Sequence, residues 1–347
     1  MKEIIYAIFL SFFLCGLCGN AEAKKKKEVK KAIKREDQTP YDKLFKGKKA
    51  FTVNGLMKMH LMAGKVYAEF PIELLNRDLA LTSSIEDISD NGEGVVGQFA
   101  GRVNQFRFTL QDSMLQARLV RRYGVKNTGM GKNADQIIER SNTPGIFQSY
   151  KILAYTPDKK AVVVDMTELF LESSRLTNPF PSYAGNSLYG FVQRIHKFQS
   201  QRSELLGICG NDNSMSVRCN LGFNVDRLVL GSFMQAKDVP VSVTVNKILM
   251  LLPEDPMRPR LADSRIGVNA IIQTELPDVC QGIKTYYITK RWRIEPVDEI
   301  RYKQGEMVDV KKPIVFYIDT LMPDSWIKYV KAGAEAWNAA FEKIGLR

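Results

Sequence analysis

Histidine is nearly absent from this chain of 347 residues: there are two, His60 and His196. A hydrolytic zinc helix needs two imidazoles four residues apart, with a glutamate between them to polarise the attacking water. Neither histidine has such a partner nearby in sequence, so this chain carries no His-Glu-x-x-His motif. His60 falls in a candidate hairpin and reads as a sheet-face residue; His196 follows Arg194-Ile195 and reads as a surface position. Long apolar runs are also missing. The longest, Ile4 to Leu17, falls short of the roughly 20 residues a helix needs to cross a bilayer. It follows Lys2 and precedes Ala21-Glu22-Ala23, whose small residues fit signal-peptidase cleavage, so residues 1–23 read as a signal peptide. The chain is thus expected to be exported to the periplasm, the cell surface or the medium, with no stable transmembrane segment after cleavage. Leu14 and Leu17 stand where a lipobox before Cys15 or Cys18 wants a small residue.

Cysteine is scarce as well. Three of the five lie beyond the signal: Cys209, Cys219 and Cys280. Export puts them where disulfides survive. Gly210-Asn211-Asp212-Asn213-Ser214 forms a turn-rich loop able to bring Cys209 and Cys219 together, while a pair of free thiols fits the same spacing. Cys280 reads as a buried free thiol.

Several catalytic signatures fail on spacing. Gly124, Gly129 and Gly131 with Lys132 do not make a phosphate-binding loop, because Asn133 stands where Ser or Thr is required. Gly94 to Phe99 is not followed by the helix of a dinucleotide site. Ser203 and Ser232 lack a nucleophile elbow, and the acidic pairs Asp165/Glu168 and Glu254/Asp255 read as loop charges. No catalytic, cofactor-binding or metal-ligating residue is assigned.

The net charge of +12 suggests nucleic acid until it is partitioned. Residues 24–35 carry eight Lys/Arg against Glu28, and the body from residue 36 onward is only mildly basic. Residues 24–40 read as a solvated basic arm; with no aromatic residue in the run of lysines there is no platform for base stacking, and no nucleic-acid partner is expected.

What remains is strand pattern. Met57–Met62 and Lys65–Phe70 flank Ala63-Gly64 as a hairpin, Ile72–Asn76 suits a helical turn, and Leu79–Ile85 returns as a strand before Asp90-Asn91-Gly92. Further strands are expected at Gln105–Leu110, Met114–Arg121, Gln148–Tyr155, Ala161–Met166, Val239–Leu252, Ile266–Glu275 and Lys284–Arg293, with a helix near Ala134–Arg140. After Glu306, Pro313–Asp319 has a buried-strand pattern and Ser325–Ile344 a helical one, with Asp324 as cap and Gly345 as stop. Trp326, Ile327, Val330, Ala334, Trp337, Phe341 and Ile344 share one face of that helix. The expected fold class is α+β and β-dominated. Its parts are a small N-terminal β-hairpin module (41–90), a larger mainly-β domain (91–300), and a linker with the opening of an incomplete α/β domain (301–347).

Lys312–Asp319, Met322-Pro323-Asp324-Ser325-Trp326 and Ala334–Phe341 resemble the first strand and helix of metzincin catalytic domains. Tyr41–Gly47, Leu75–Leu79, Ile88–Asn91, Asp263–Gly267 and Arg291–Pro296, in that order, extend the likeness to large secreted bacterial zinc-dependent metalloproteases. The resemblance implies an α/β catalytic domain that begins near residue 301 and, in a full-length parent, a zinc held by a His-Glu-x-x-His-x-x-Gly-x-x-His helix. That helix is not in this sequence, so no cofactor is expected in this chain, which is expected to be inactive alone. The implied partners are the C-terminal catalytic region and, for the parent, a protein or peptide substrate. The alternative reading is an exported β-rich module that binds glycan or protein, with Tyr183, Tyr189 and Phe191 as candidate exposed aromatics. A lone strand and helix cannot bury their apolar face, so residues 313–344 are expected to present an apolar patch unless they dock on the middle domain.

Overall fold

The computed structural model describes residues 38–101, 103–120, 125–128, 131–173, 177–180, 186–187, 190–229, 233–277 and 282–347. The expected signal peptide, nearly all of the basic arm, Cys280, Tyr183 and Tyr189 lie outside these residues, as does the side chain of Phe191. The protein is α+β and β-dominated. It forms two compact units, Met1–Arg122 with Thr143–Glu254, and Tyr123–Asn142 with Asp255–Arg347.

The first unit is a twelve-stranded sheet in the order β1-β2-β3-β9-β8-β6-β5-β4-β13-β12-β11-β10. Its strands are β1 (Phe51–Val53), β2 (Lys58–Met62), β3 (Lys65–Pro71), β4 (Asp78–Ile88), β5 (Asn104–Gln111), β6 (Met114–Val120), β8 (Gly145–Tyr155), β9 (Ala161–Asp165), β10 (Asn186–Ser187), β11 (Gly190–Asn211), β12 (Ser214–Val229) and β13 (Phe233–Leu251). Every pairing among them is antiparallel. The β2–β3 hairpin closes on Ala63-Gly64, both at positive φ (50° and 71°), the combination a two-residue turn needs to match strand twist. The β8–β9 hairpin closes on Thr156–Lys160, as its composition predicts. Strands from the expected module 41–90 pair with strands from the expected domain 91–300: β3 with β9, and β4 with β5 and β13. Both stretches therefore build one sheet.

A sheet with one apolar face must cover that face. Here it curls over itself: Met59, Val66 and Phe70 from one end of the strand order share a core with Ile208, Met215 and Val217 from the other. The closure is made by backbone, where the Leu56 N–H donates to the Asn211 carbonyl at 2.7 Å. A Cβ on Gly55 would lie 2.7 Å from that same oxygen, so the approach requires glycine. The short helix α1 (Pro40–Phe45) lies outside the sheet, and α3 (Thr167–Leu171) adds Leu169 and Phe170 to the core.

The second unit holds β7 (Val125–Thr128), α2 (Lys132–Ser141), β14 (Ala270–Pro277) and β15 (Lys284–Thr289), with β7 parallel to β14. It continues through α4 (Glu299–Lys303), α5 (Asp324–Glu335) and α6 (Asn338–Glu342). After residue 301 three expectations fail and one holds. Residues 313–319 form no strand, because among the described residues no neighbour offers them a ladder. The expected single helix is split by a tightened turn at Ala336-Trp337. Asp324 is the first helical residue rather than its cap; Pro323 precedes it and has no side chain to cap with. Gly345 ends the run as expected, at φ 80°, with Leu346 N–H on the Phe341 carbonyl and Gly345 N–H on that of Glu342. No described helix is long and apolar enough to cross a membrane.

The Cys209–Cys219 disulfide does not form; both thiols are free. In the β11–β12 hairpin Cys209 faces Ser216 and Cys219 faces Leu205, three positions out of register. An odd offset puts the two side chains on opposite faces, so Cys209 is exposed and Cys219 is in the core.

One core position breaks the alternation. Val241, Val243, Val245 and Leu249 are buried on β13, and Lys247 occupies the same row. Its Nζ donates to the Glu172 carbonyl at 2.7 Å, and the Cys219 thiol donates to that of Phe170 at 3.3 Å, so two core side chains satisfy carbonyls at the end of α3. Burial pushes the Lys247 ammonium down to about 8 and the Cys219 thiol up to about 11, from 10.5 and 9.0. The depressed lysine penalises the fold fully below pH 8 and ceases to do so above 10.5; the raised thiol stabilises below pH 9 and loses that effect by 11. Stability therefore rises by about 1 kcal/mol between pH 8 and 9, and the two trends then oppose. In guanidinium unfolding, Lys247→Met should be flat over pH 8–9; an unchanged rise in that variant would remove the lysine as its cause.

Candidate functional site

The helix α1 is set by its first residues. Thr39 and Asp42 form a reciprocal capping box at 3.1 and 3.2 Å, and Pro40 supplies a fitting φ at the first turn. That fixes Tyr41 and Phe45 one turn apart, over the outer face of β2–β3. The Phe45 ring lies 4.4 Å from the His60 ring and edge-on to Tyr67 at 6.3 Å.

Beneath this cover the cross-strand register assembles a polar cluster, pairing Thr52 with His60, His60 with Tyr67 and Lys58 with Glu69. Glu69 Oε1 accepts from the Tyr41 hydroxyl at 2.6 Å and lies 2.9 Å from His60 Nε2 and 3.3 Å from Lys58 Nζ. His60 Nδ1 is 2.9 Å from the Thr52 hydroxyl. With Nε2–H directed at the carboxylate, Nδ1 is left to accept from Thr52. Burial alone would raise the Glu69 carboxyl, but the donors from His60 and Tyr41 and the Lys58 charge outweigh it and hold the group below its ordinary value. Burial and the Glu69 hydrogen bond push the Tyr41 phenol above its ordinary range. An ionised carboxylate with three donors is a poor proton acceptor, so this cluster fixes α1 to the sheet rather than moving protons near neutrality.

Tyr41, Lys58 and Glu69 form one wall of a cleft of about 840 Å³. Leu56 and Met57 line it from the β1–β2 loop, Pro71, Ile72 and Glu73 from the turn after β3, and Thr156 to Ala161 from the β8–β9 loop. Its walls are tied by backbone bonds: Ile72 N–H to the Lys160 carbonyl at 2.8 Å and Lys159 N–H to that of Thr156 at 2.8 Å.

A second cluster lies on the β11–β12 half of the sheet. The Glu93 carboxylate is fully buried, 2.8 Å from His196 Nε2, and accepts from Arg227 Nε and Nη2 at 3.0 and 2.8 Å; Arg194 Nε is 3.3 Å away. Arg227 also binds Asp90, and Phe180 stacks on His196 at 3.9 Å. Two carboxylates thus balance two guanidiniums around an imidazole, pinning the turn after β4 to β11 and β12. His60 lies on a sheet face, as its hairpin position implies, and is buried against Glu69; His196, read from the sequence as a surface position, is instead half-buried against Glu93. No local pattern announced either cluster. Among the described residues no group of three or more His, Cys, Asp or Glu is arranged to hold a metal ion. Ser203 receives the Gly222 N–H and donates to the Gln199 carbonyl, bridging the irregularity between β11 and β12.

These features define a β-dominated protein with a cleft and two buried glutamate–histidine clusters. The chain belongs to the family described as Domain of unknown function (DUF5117), which matches residues 97–297; residues 38–88 match Domain of unknown function (DUF5118). No curated protein and no solved structure matches it.

Removing the carboxylate strands three donors, so Glu69→Gln should cost about 2–4 kcal/mol in chemical unfolding at pH 7. Because the Glu69 carboxyl is held below its ordinary value, its contribution is present above that value and is lost as pH falls through the folded one. The difference between the native chain and Glu69→Gln should therefore shrink on acidification, and a pH-independent difference would argue against the ionised cluster.

Proposed function

We propose that the chain is the amino-terminal portion of an exported zinc-dependent metalloendopeptidase. In this reading the β-dominated region is an accessory structure that shields or positions the catalytic domain, and the segment from residue 301 opens a metzincin-type fold. The supporting observation is the apolar face of that segment. Trp326 and Trp337 are 62% and 68% exposed, and Phe316, Leu321 and Ile344 are exposed beside them in sequence. Side chains that repeat at helical spacing yet remain uncovered are the mark of an element built to pack on a further layer. The parent reaction is attack of zinc-activated water on a peptide carbonyl, and none of its ligands is among the residues described above. The second reading, an exported β-rich binding module, is supported by the cleft beside Glu69.

Two measurements test the first reading. The polypeptide encoded by the uninterrupted gene should cleave an unfolded protein substrate in a chelator-sensitive way, whereas residues 24–347 alone should bind no zinc and cleave nothing. A gene product without a histidine-rich zinc helix, or one tightly held zinc per molecule of the shorter chain, defeats the proposal. Amide exchange across residues 325–344 should be fast in the shorter chain and slow in the gene product; equally slow exchange in both would mean the helix needs no further layer.

A further inference from the structure

In the second unit, two stretches of chain that interleave cations with large apolar side chains run side by side. β15 is the terminal strand of the order β15-β14-β7, and residues 260–262 lie antiparallel along its open edge. The Thr289 N–H donates to the Arg260 carbonyl at 2.9 Å and the Ala262 N–H to that of Tyr287 at 2.8 Å, with Leu261 opposite Ile288. Past the strand, Arg291 Nη2 donates to the Arg258 carbonyl and Arg293 Nη1 to that of Asp255, both at 2.7 Å. Residues 255–265 and 287–295 thus bring six cations, Arg258, Arg260, Arg265, Lys290, Arg291 and Arg293, to one edge with three carboxylates. All three carboxylates are taken by two of the arginines. Arg265 closes on Asp263 at 2.6 Å, and Arg293 lies 2.7 Å from Glu295 and 3.7 Å from Asp255. Among the described residues, Arg258, Arg260, Lys290 and Arg291 have no carboxylate within ion-pair distance, and the first three are exposed. Between these cations in sequence stand Leu261, Ile266 and Trp292, 74%, 61% and 61% exposed.

We propose that this edge docks on an anionic lipid bilayer, with Arg258, Arg260 and Lys290 on lipid phosphates and Leu261, Ile266 and Trp292 at the boundary between headgroups and acyl chains. The two kinds of side chain need different surroundings, and a bilayer surface offers both within a few ångströms. Its phosphates attract each cation, and the layer just beneath accepts aliphatic and indole side chains, the indole N–H staying at headgroup level. An acidic polysaccharide or a nucleic acid would neutralise the cations and leave the three apolar side chains in water. The contact is peripheral, since no described helix is long and apolar enough to span. The edge belongs to the second unit and precedes the segment after residue 301, so docking holds whether or not the gene product cuts peptide bonds.

The test compares residues 24–347 with residues 36–347, which lack the basic run 24–35 but none of the described residues. Both chains should cosediment with phosphatidylcholine vesicles holding about 30% phosphatidylglycerol, at least about tenfold more tightly than with phosphatidylcholine alone. Binding should weaken several-fold when salt rises from about 50 to about 500 mM, because the edge charges are open to screening. Arg258→Glu with Arg260→Glu changes two exposed side chains, and in residues 36–347 it should weaken binding at least about tenfold. With Trp326→Phe and Trp337→Phe, Trp292 is the one indole left; its emission should move to shorter wavelength on the anionic vesicles and be quenched by brominated acyl chains. Four results overturn the proposal: binding that disappears with residues 24–35, equal binding to neutral and anionic vesicles, unchanged binding by a charge-reversed chain that unfolds at the native temperature, or Trp292 emission that does not move. Tighter binding to polyglutamate than to the vesicles would also overturn it and assign the edge to an acidic protein.

Discussion

The constraint on which the rest of the first unit depends is that a twelve-stranded antiparallel sheet with one apolar face has little but itself to bury that face against. Among the described residues, helical side chains reach the interior from α3 and from the single helical turn Ile72–Leu74. The sheet therefore bends until its two ends meet, and the meeting is made by main chain: Gly55 passes against Asn211, and Leu56 bonds to it. Everything that shapes the cleft hangs from that closure. The β1–β2 loop that supplies Leu56 and Met57 is held at Asn211, and the turn after β3 is held at Lys160, so the opposing walls belong to strands already fixed by the core.

Burial of charge follows from the same geometry. A curled sheet leaves parts of its outer face under short covering elements, and polar residues caught there must find partners. Glu69 lies under α1 and Glu93 in the turn after β4, and each gathers donors that no single strand could supply. Lys247 is the inverse case: a cation in the inner row, tolerated because the last carbonyls of α3 have no helical donors of their own. These three sites act as clamps between elements distant in sequence. Their net worth lies less in Coulomb attraction than in the cost of leaving any member unpaired.

Local pattern revealed the parts of the fold whose geometry is local. Ala63-Gly64 and Thr156–Lys160 specify short hairpins by turn chemistry, and both hairpins form. Gly345 stops the last helix because only a residue tolerant of positive φ fits there. The long ribbon of β11 and β12 was not legible, since the polar run Gln199 to Ser203 interrupts the alternation where the ladder shifts register. The spacing of Cys209 and Cys219 invited a disulfide because loop length ignores face; the hairpin register places one thiol outside and the other in. The candidate site was invisible for a related reason. Thr52, His60 and Glu69 sit on three strands, and their convergence depends on pairing register and on a capped helix that crosses over them.

The two family matches divide the chain at residues 88 and 97, yet three strand pairings cross that division, β3 with β9 and β4 with β5 and β13. β4, inside the first match, is hydrogen-bonded along its length to β13, and β3 is bonded to β9. A fragment ending at residue 88 would expose both edges of β4 and one edge of β3, and would lose the partners of Val66, Phe70 and Leu81 in the shared core. A fragment beginning at residue 97 would leave β9 and β13 with an unpaired edge and the core without its first hairpin. Open apolar edges of that length are aggregation surfaces, so neither stretch has a favourable structure by itself. The division by sequence family and the division by folding thus follow different rules. One records which residues travel together in related chains, and the other records which must be present for the sheet to close.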